Sequence, residues 1–90
     1  MTELKENLKI KNKKGLHARA AAAFVKTIEP FEAVCEVERL GQCVGGCSIM
    51  GLMMLAASQG TEIVVKVKGK DAKEAMKAIK KLVESKFGEE

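Results

Sequence analysis

Apolar and polar residues alternate most cleanly between Thr61 and Lys68, where Ile63, Val65 and Val67 share one face and Glu62, Val64, Lys66 and Lys68 the other. A period of two is the signature of a strand with one side buried. The same alternation over Leu8 to Lys11 predicts a first strand, with Leu8 and Ile10 inward and Lys9 and Lys11 outward. Ala33 to Arg39 reads as a second strand, with Ala33, Cys35 and Val37 on one face, and Gly41 turns the chain back into a short third strand over Gln42 to Val44. The period then changes to that of a helix in three places. An alanine-rich run from Ala18 to Glu29 sets Phe24, Val25 and Ile28 at helical spacing and stops before Pro30. Ser48 stands as an N-cap to a short apolar helix over Ile49 to Leu55. Asp71 and Glu74 form a D-x-x-E capping box ahead of Ala72, Ala75, Met76, Ile79, Leu82 and Val83. Every strand thus offers one apolar face. The simplest two-layer solution is an α/β (α+β) sandwich, a sheet carrying its helices on one side.

Ninety residues, 47% of them hydrophobic, suffice for a single domain over residues 1–90 with its own core. The N-terminus has no long apolar leader block, and no run approaches the roughly 20 apolar residues of a membrane span, so a cytoplasmic protein without membrane insertion is expected. Three cysteines, an odd number, exclude a closed disulfide framework and suit a reducing compartment. The net charge of +4 points to anionic partners, but the chain has no Trp or Tyr and three Phe, so it lacks the stacking surface of single-strand binders. An acidic protein or a small anion fits better than nucleic acid. A small basic nucleic-acid-binding domain is the alternative from another class. Lys73, Lys77, Lys80 and Lys81 read as the solvated side of the last helix. A Cys₃His zinc site from Cys35, Cys43, Cys47 and His17 is disfavoured, because Cys43 and Cys47 are only loosely spaced for a knuckle and Cys35 projects toward the core.

His17, the only histidine, lies between a polar turn and the start of a helix. The first N–H groups of a helix have no intrahelical partners and carry the positive end of the dipole, so an anion placed there meets donors already arranged. The same positive end disfavours imidazolium and leaves a ring nitrogen with a lone pair for attack. Arg19, in the same first turn, can donate charge-assisted hydrogen bonds to the oxygens of a transferred group, and Lys13 and Lys14 add positive potential.

The segment G-L-H-A-R-A-A-A at Gly15 to Ala22, together with C-S-I-M-G-L-M at Cys47 to Met53, resembles the HPr family, the histidine-containing phosphocarriers of the bacterial phosphoenolpyruvate-dependent sugar phosphotransferase system. The resemblance covers nearly the whole chain. It implies a monomeric open-faced sandwich, a four-stranded antiparallel sheet of order 1-4-2-3 with three helices on one face. It also implies that His17 accepts a phosphoryl group on Nδ1 from Enzyme I and hands it to sugar-specific IIA domains, that Arg19 assists, and that Ser48 corresponds to the target of a regulatory serine kinase. Such a protein is a carrier and not an independent catalyst, and it requires no metal or organic cofactor. A purely regulatory protein acting through Ser48 is the alternative within the family. Two positions depart from the usual pattern: Ala20 stands where the family has proline, and Cys47 where it has lysine.

Ile49, Met50, Met53 and Met54 are too many large apolar residues for a short helix to bury along with Leu52 and Leu55. Exposed methionines make an adaptable contact surface. The resemblance places the Enzyme I and IIA contacts on this helix and the first, and Ala18, Ala22, Ile49, Met50 and Met53 are the partner-binding residues it implies.

Overall fold

A computed structural model describes residues 2–89. The elements follow in the order β1 (Thr2–Lys9), α1 (Ala18–Ile28), β2 (Val34–Arg39), β3 (Gln42–Gly45), α2 (Ile49–Met54), β4 (Glu62–Gly69) and α3 (Ala72–Glu84), with a short turn of helix at Lys86–Gly88. The four strands form one antiparallel sheet of order β1-β4-β2-β3. Among the described residues, no helix is long and apolar enough to cross a membrane.

The register aligns the apolar positions of neighbouring strands. Leu8 lies opposite Ile63, Val37 opposite Val65 and Val44, and Cys35 opposite Val67. These side chains fill one face of the sheet, and α1 covers it with Ala20, Ala21, Phe24 and Ile28, α2 with Leu52, and α3 with Ala75, Met76, Ile79 and Val83. Alanines at the buried positions of α1 keep the helix close to the strands, and Phe24 fills the remaining depth. The other face is solvated, and there Lys66 Nζ pairs with Glu38 Oε1 at 3.0 Å across β4 and β2.

Four local features differ from the sequence reading. The first strand runs over Thr2–Lys9 and not Leu8–Lys11: its inward row is Leu4, Glu6 and Leu8, and Glu6 interrupts the apolar alternation because its carboxylate reaches Lys80 of α3 at 3.3 Å. Ile10 has left the ladder but stays buried, its N–H donating to the Thr61 carbonyl at 2.9 Å. Asp71 is the residue before α3, yet its side chain makes no cap bond to the helix; Oδ2 accepts from Glu32 N–H at 2.8 Å instead and ties the start of α3 to the entry of β2. The turn at Lys86–Gly88 had no signal in the periodicity. Lys86, Phe87 and Gly88 all adopt positive φ, 58°, 55° and 75°. A left-handed conformation costs roughly 1–2 kcal/mol for each non-glycine residue. Burial of the Phe87 ring, 8% exposed, offsets this by a comparable amount.

The β2–β3 reversal has positive φ at both central residues, Leu40 at 51° and Gly41 at 84°, the backbone of a two-residue hairpin turn. Gly41 suits it. Leu40 is 87% exposed and gains nothing from burial. Leu40→Asn is therefore expected to raise stability by roughly 0.5–1 kcal/mol, because asparagine tolerates this region. Urea denaturation checks it, the midpoint rising with an unchanged slope.

Candidate functional site

The turn from Asn12 to His17 gathers at the end of the sheet where β1 finishes and β4 begins. Asn12 is fully buried and acts as its inner brace. Its Nδ2 donates to the Gly15 carbonyl at 2.8 Å, and the Gly15 N–H returns to the Asn12 carbonyl at 3.2 Å. Gly15 has φ +68°, and a Cβ built there would sit 2.5 Å from the Ala57 carbonyl oxygen and 2.9 Å from Ser58 Cα. Only glycine fits so close to another backbone. The segment after α2 supplies that backbone: Ala56 turns left-handed at φ 51°, past the C-cap Leu55, and the Ala57 carbonyl accepts from Leu16 N–H at 2.8 Å.

His17 is the N-cap of α1, with extended backbone. Its Nδ1 accepts from the Arg19 N–H at 3.3 Å, so in this geometry Nδ1 carries the lone pair. Nε2 pairs with Glu89 Oε2, and the other Glu89 oxygen accepts from Asn12 Nδ2 at 2.9 Å. A carboxylate on one ring nitrogen fixes the tautomer that leaves the other as nucleophile. The Asn12 hydrogen bond, then that from His17, hold the Glu89 carboxyl below the usual glutamate range, with Lys14 contributing. Arg19 is exposed at the same helix start, and Lys13 and Lys14 stand beside it. Ala20 is buried and α1 begins at Ala18, so the helix start forms without a proline.

Ser48 lies where the sequence puts it, before α2, and its Oγ accepts from Gly51 N–H at 3.0 Å. The residue is exposed. Of the five residues expected to contact partners, Ala18, Ile49, Met50 and Met53 are exposed and Ala22 half-buried. They lie on α1 and α2, which pack side by side, while Leu52 and Leu55 close the core. Met54 extends the apolar patch. Cys35 is buried under Gly46, and burial pushes its thiol up to about 12, whereas Cys43 and Cys47 are exposed. Among the described residues no three of the His, Cys, Asp and Glu side chains are grouped to hold a metal ion.

Sequence reasoning missed Asn12 and Glu89. Asn12 read as an ordinary turn residue. Glu89 is 72 residues from His17, and no local pattern connects them.

Residues 4–85 match the family model described as PTS HPr component phosphorylation site. The chain is 45% identical over 87 residues to the phosphocarrier protein HPr of Xylella fastidiosa, covering 97% of this chain and 98% of that protein. It is 46% identical over 86 residues to the phosphocarrier protein HPr of Neisseria meningitidis, covering 96% and 97%. The crystal structure of HPr-C-His from Thermoanaerobacter tengcongensis superimposes with a TM-score of 0.90 at 48% identity, over 100% of this chain and 99% of that one.

Two outcomes follow from the geometry. Gly15→Ala combines a left-handed backbone with a clash against the Ala57 carbonyl, and should cost roughly 2–4 kcal/mol in a denaturant titration. The depressed Glu89 carboxyl stabilises the fold at pH values above the ordinary glutamate range, and this contribution is lost as pH falls through its lower folded value. Stability measured against pH should therefore show a difference between the wild type and Glu89→Gln at neutral pH that closes in acid.

Proposed function

The chain belongs to the HPr family of phosphocarriers, and from that premise we propose that His17 Nδ1 takes a phosphoryl group from phosphorylated Enzyme I and passes it to IIA domains of the phosphotransferase system. The observation that supports this reading is the division of labour on the imidazole, Nδ1 toward the α1 N-terminus and Nε2 on the Glu89 carboxylate. In the transfer the Nδ1 lone pair attacks phosphorus, the bond from phosphorus to the donor nitrogen breaks, and its electron pair stays with the donor ring. The ring of His17 gains positive charge. Glu89, bound at Nε2, is placed to stabilise that charge, and Asn12 keeps the carboxylate in position. The N–H of Arg19 turns from Nδ1 to a phosphoryl oxygen, and the Arg19 guanidinium supplies a second donor. Onward transfer repeats the step in reverse. Because the group must leave again, stabilisation by one cation, a few backbone donors and an open site suits a carrier better than a closed cage.

In the same reading the whole chain acts as one phosphocarrier domain and as a monomer. Ala18, Ala22, Ile49, Met50 and Met53 form the surface on which the acidic partners dock, with methionine side chains that adapt to more than one of them. Phosphorylation of Ser48 by a serine kinase is a second input, supported by its exposed position. A phosphate on this N-cap adds nearly two negative charges beside the docking surface and would oppose an acidic partner.

Intact mass after incubation with phosphoenolpyruvate and a bacterial Enzyme I tests the relay. The wild type should gain one acid-labile phosphate and His17→Ala none, while Arg19→Gln should be phosphorylated about tenfold more slowly or worse. A wild type left unmodified by a competent Enzyme I would remove the protein from the relay.

A further inference from the structure

A cleft of about 440 Å³ opens beside the His17 ring and is lined by Lys13, Lys14, Arg19, Phe87, Gly88 and Glu89. Three of these six residues are cations, and they come from two stretches of chain, the turn before α1 and the first turn of α1 itself. None of the three side chains makes a hydrogen bond or ion pair in the structure's described residues. The one carboxylate in the wall does not neutralise them by contact. Glu89 has one oxygen on Asn12 and the other on His17. The lining therefore carries a surplus of two positive charges around a concave space, with donors unused.

We propose that this cleft binds a small phosphate monoester, a phosphorylated sugar or phosphorylated carboxylic acid, at a site that adjoins the phosphoryl position on His17 and shares Arg19 with it. A phosphate monoester brings close to two negative charges at neutral pH and three acceptor oxygens, which matches both the surplus charge and the three free cationic side chains. Its volume argues for a ligand with a carbon body. The cleft falls within the range of small-molecule sites, roughly 300–1,000 Å³, and the ring of His17 is not among its walls. The methylene stems of Lys13 and Lys14 offer the body an apolar surface, while the ammonium and guanidinium heads are available to the phosphate.

The consequence for function rests on the carrier reading: a bound ester engages Arg19 and so withholds it from a phosphoryl group on His17. The binding itself does not depend on that reading, and it is measured on unphosphorylated protein. Amide chemical shifts of the full chain would be followed at fixed ionic strength during addition of glucose 6-phosphate, 3-phosphoglycerate, glucose and inorganic phosphate. Saturable shifts at Lys13, Lys14, Arg19 and Gly88 are expected with at least one of the two esters, and none with glucose. The double variant Lys13→Gln, Lys14→Gln should keep the dispersed spectrum of the folded protein and weaken ester binding roughly tenfold or more. The proposal is overturned if neither ester saturates, if inorganic phosphate binds as tightly as the esters, or if the double variant binds as the wild type does. Selective saturation by one ester would assign the ligand's body to the sugar or to the carboxylic acid class.

Discussion

The sheet is apolar on one side only, and that asymmetry organises everything else in the molecule. Ile63, Val65 and Val67 of β4 and Cys35 and Val37 of β2 lie in the middle of the sheet and must be covered from one direction. Burial of such side chains is worth roughly 1.5–3 kcal/mol each, against roughly 0.5–1.5 kcal/mol for an ordinary hydrogen bond. All three helices are therefore drawn to the same layer. Each connection between layers has to cross an end of the sheet, and three of them meet at the end where β1 stops: the turn into α1, the segment leaving α2, and the strap beyond α3. His17 sits where they converge.

That convergence explains why the site is assembled from groups with unrelated local reasons to be there. Gly15 is needed for its backbone, Asn12 as a buried brace, and Glu89 is delivered by a left-handed turn held down by Phe87. The ring of His17 is then oriented by two contacts of opposite kind, an N–H donor on one nitrogen and a carboxylate on the other. Neither contact encloses the ring. The histidine stays partly exposed, at 28% of its side-chain surface.

Much of this was legible in the sequence, and the reasons differ by element. β4 and α3 follow simple periods of two and 3.6, so burial dictates them directly. The places of His17, Arg19 and Ser48 at helix starts were readable because helix starts have local sequence signals. The first strand was truncated because Glu6, on the inward row, has its partner Lys80 on a helix 74 residues away. Asp71 was given the nearest use for its carboxylate, the cap of α3, but Glu32 N–H lies closer to its actual position. Asn12 and Glu89 were invisible for the same reason. A hydrogen bond between distant residues leaves no trace in periodicity or in spacing.

The bond between His17 and Glu89 also sets an order of events during synthesis. Asn12 and His17 leave the ribosome early, and the carboxylate that orients the imidazole follows 72 residues later. All four strands and all three helices α1, α2 and α3 precede Glu89 in the chain, and the ring lacks its second contact until they have been made. The ring of His17 thus receives its second contact among the last steps in making the chain.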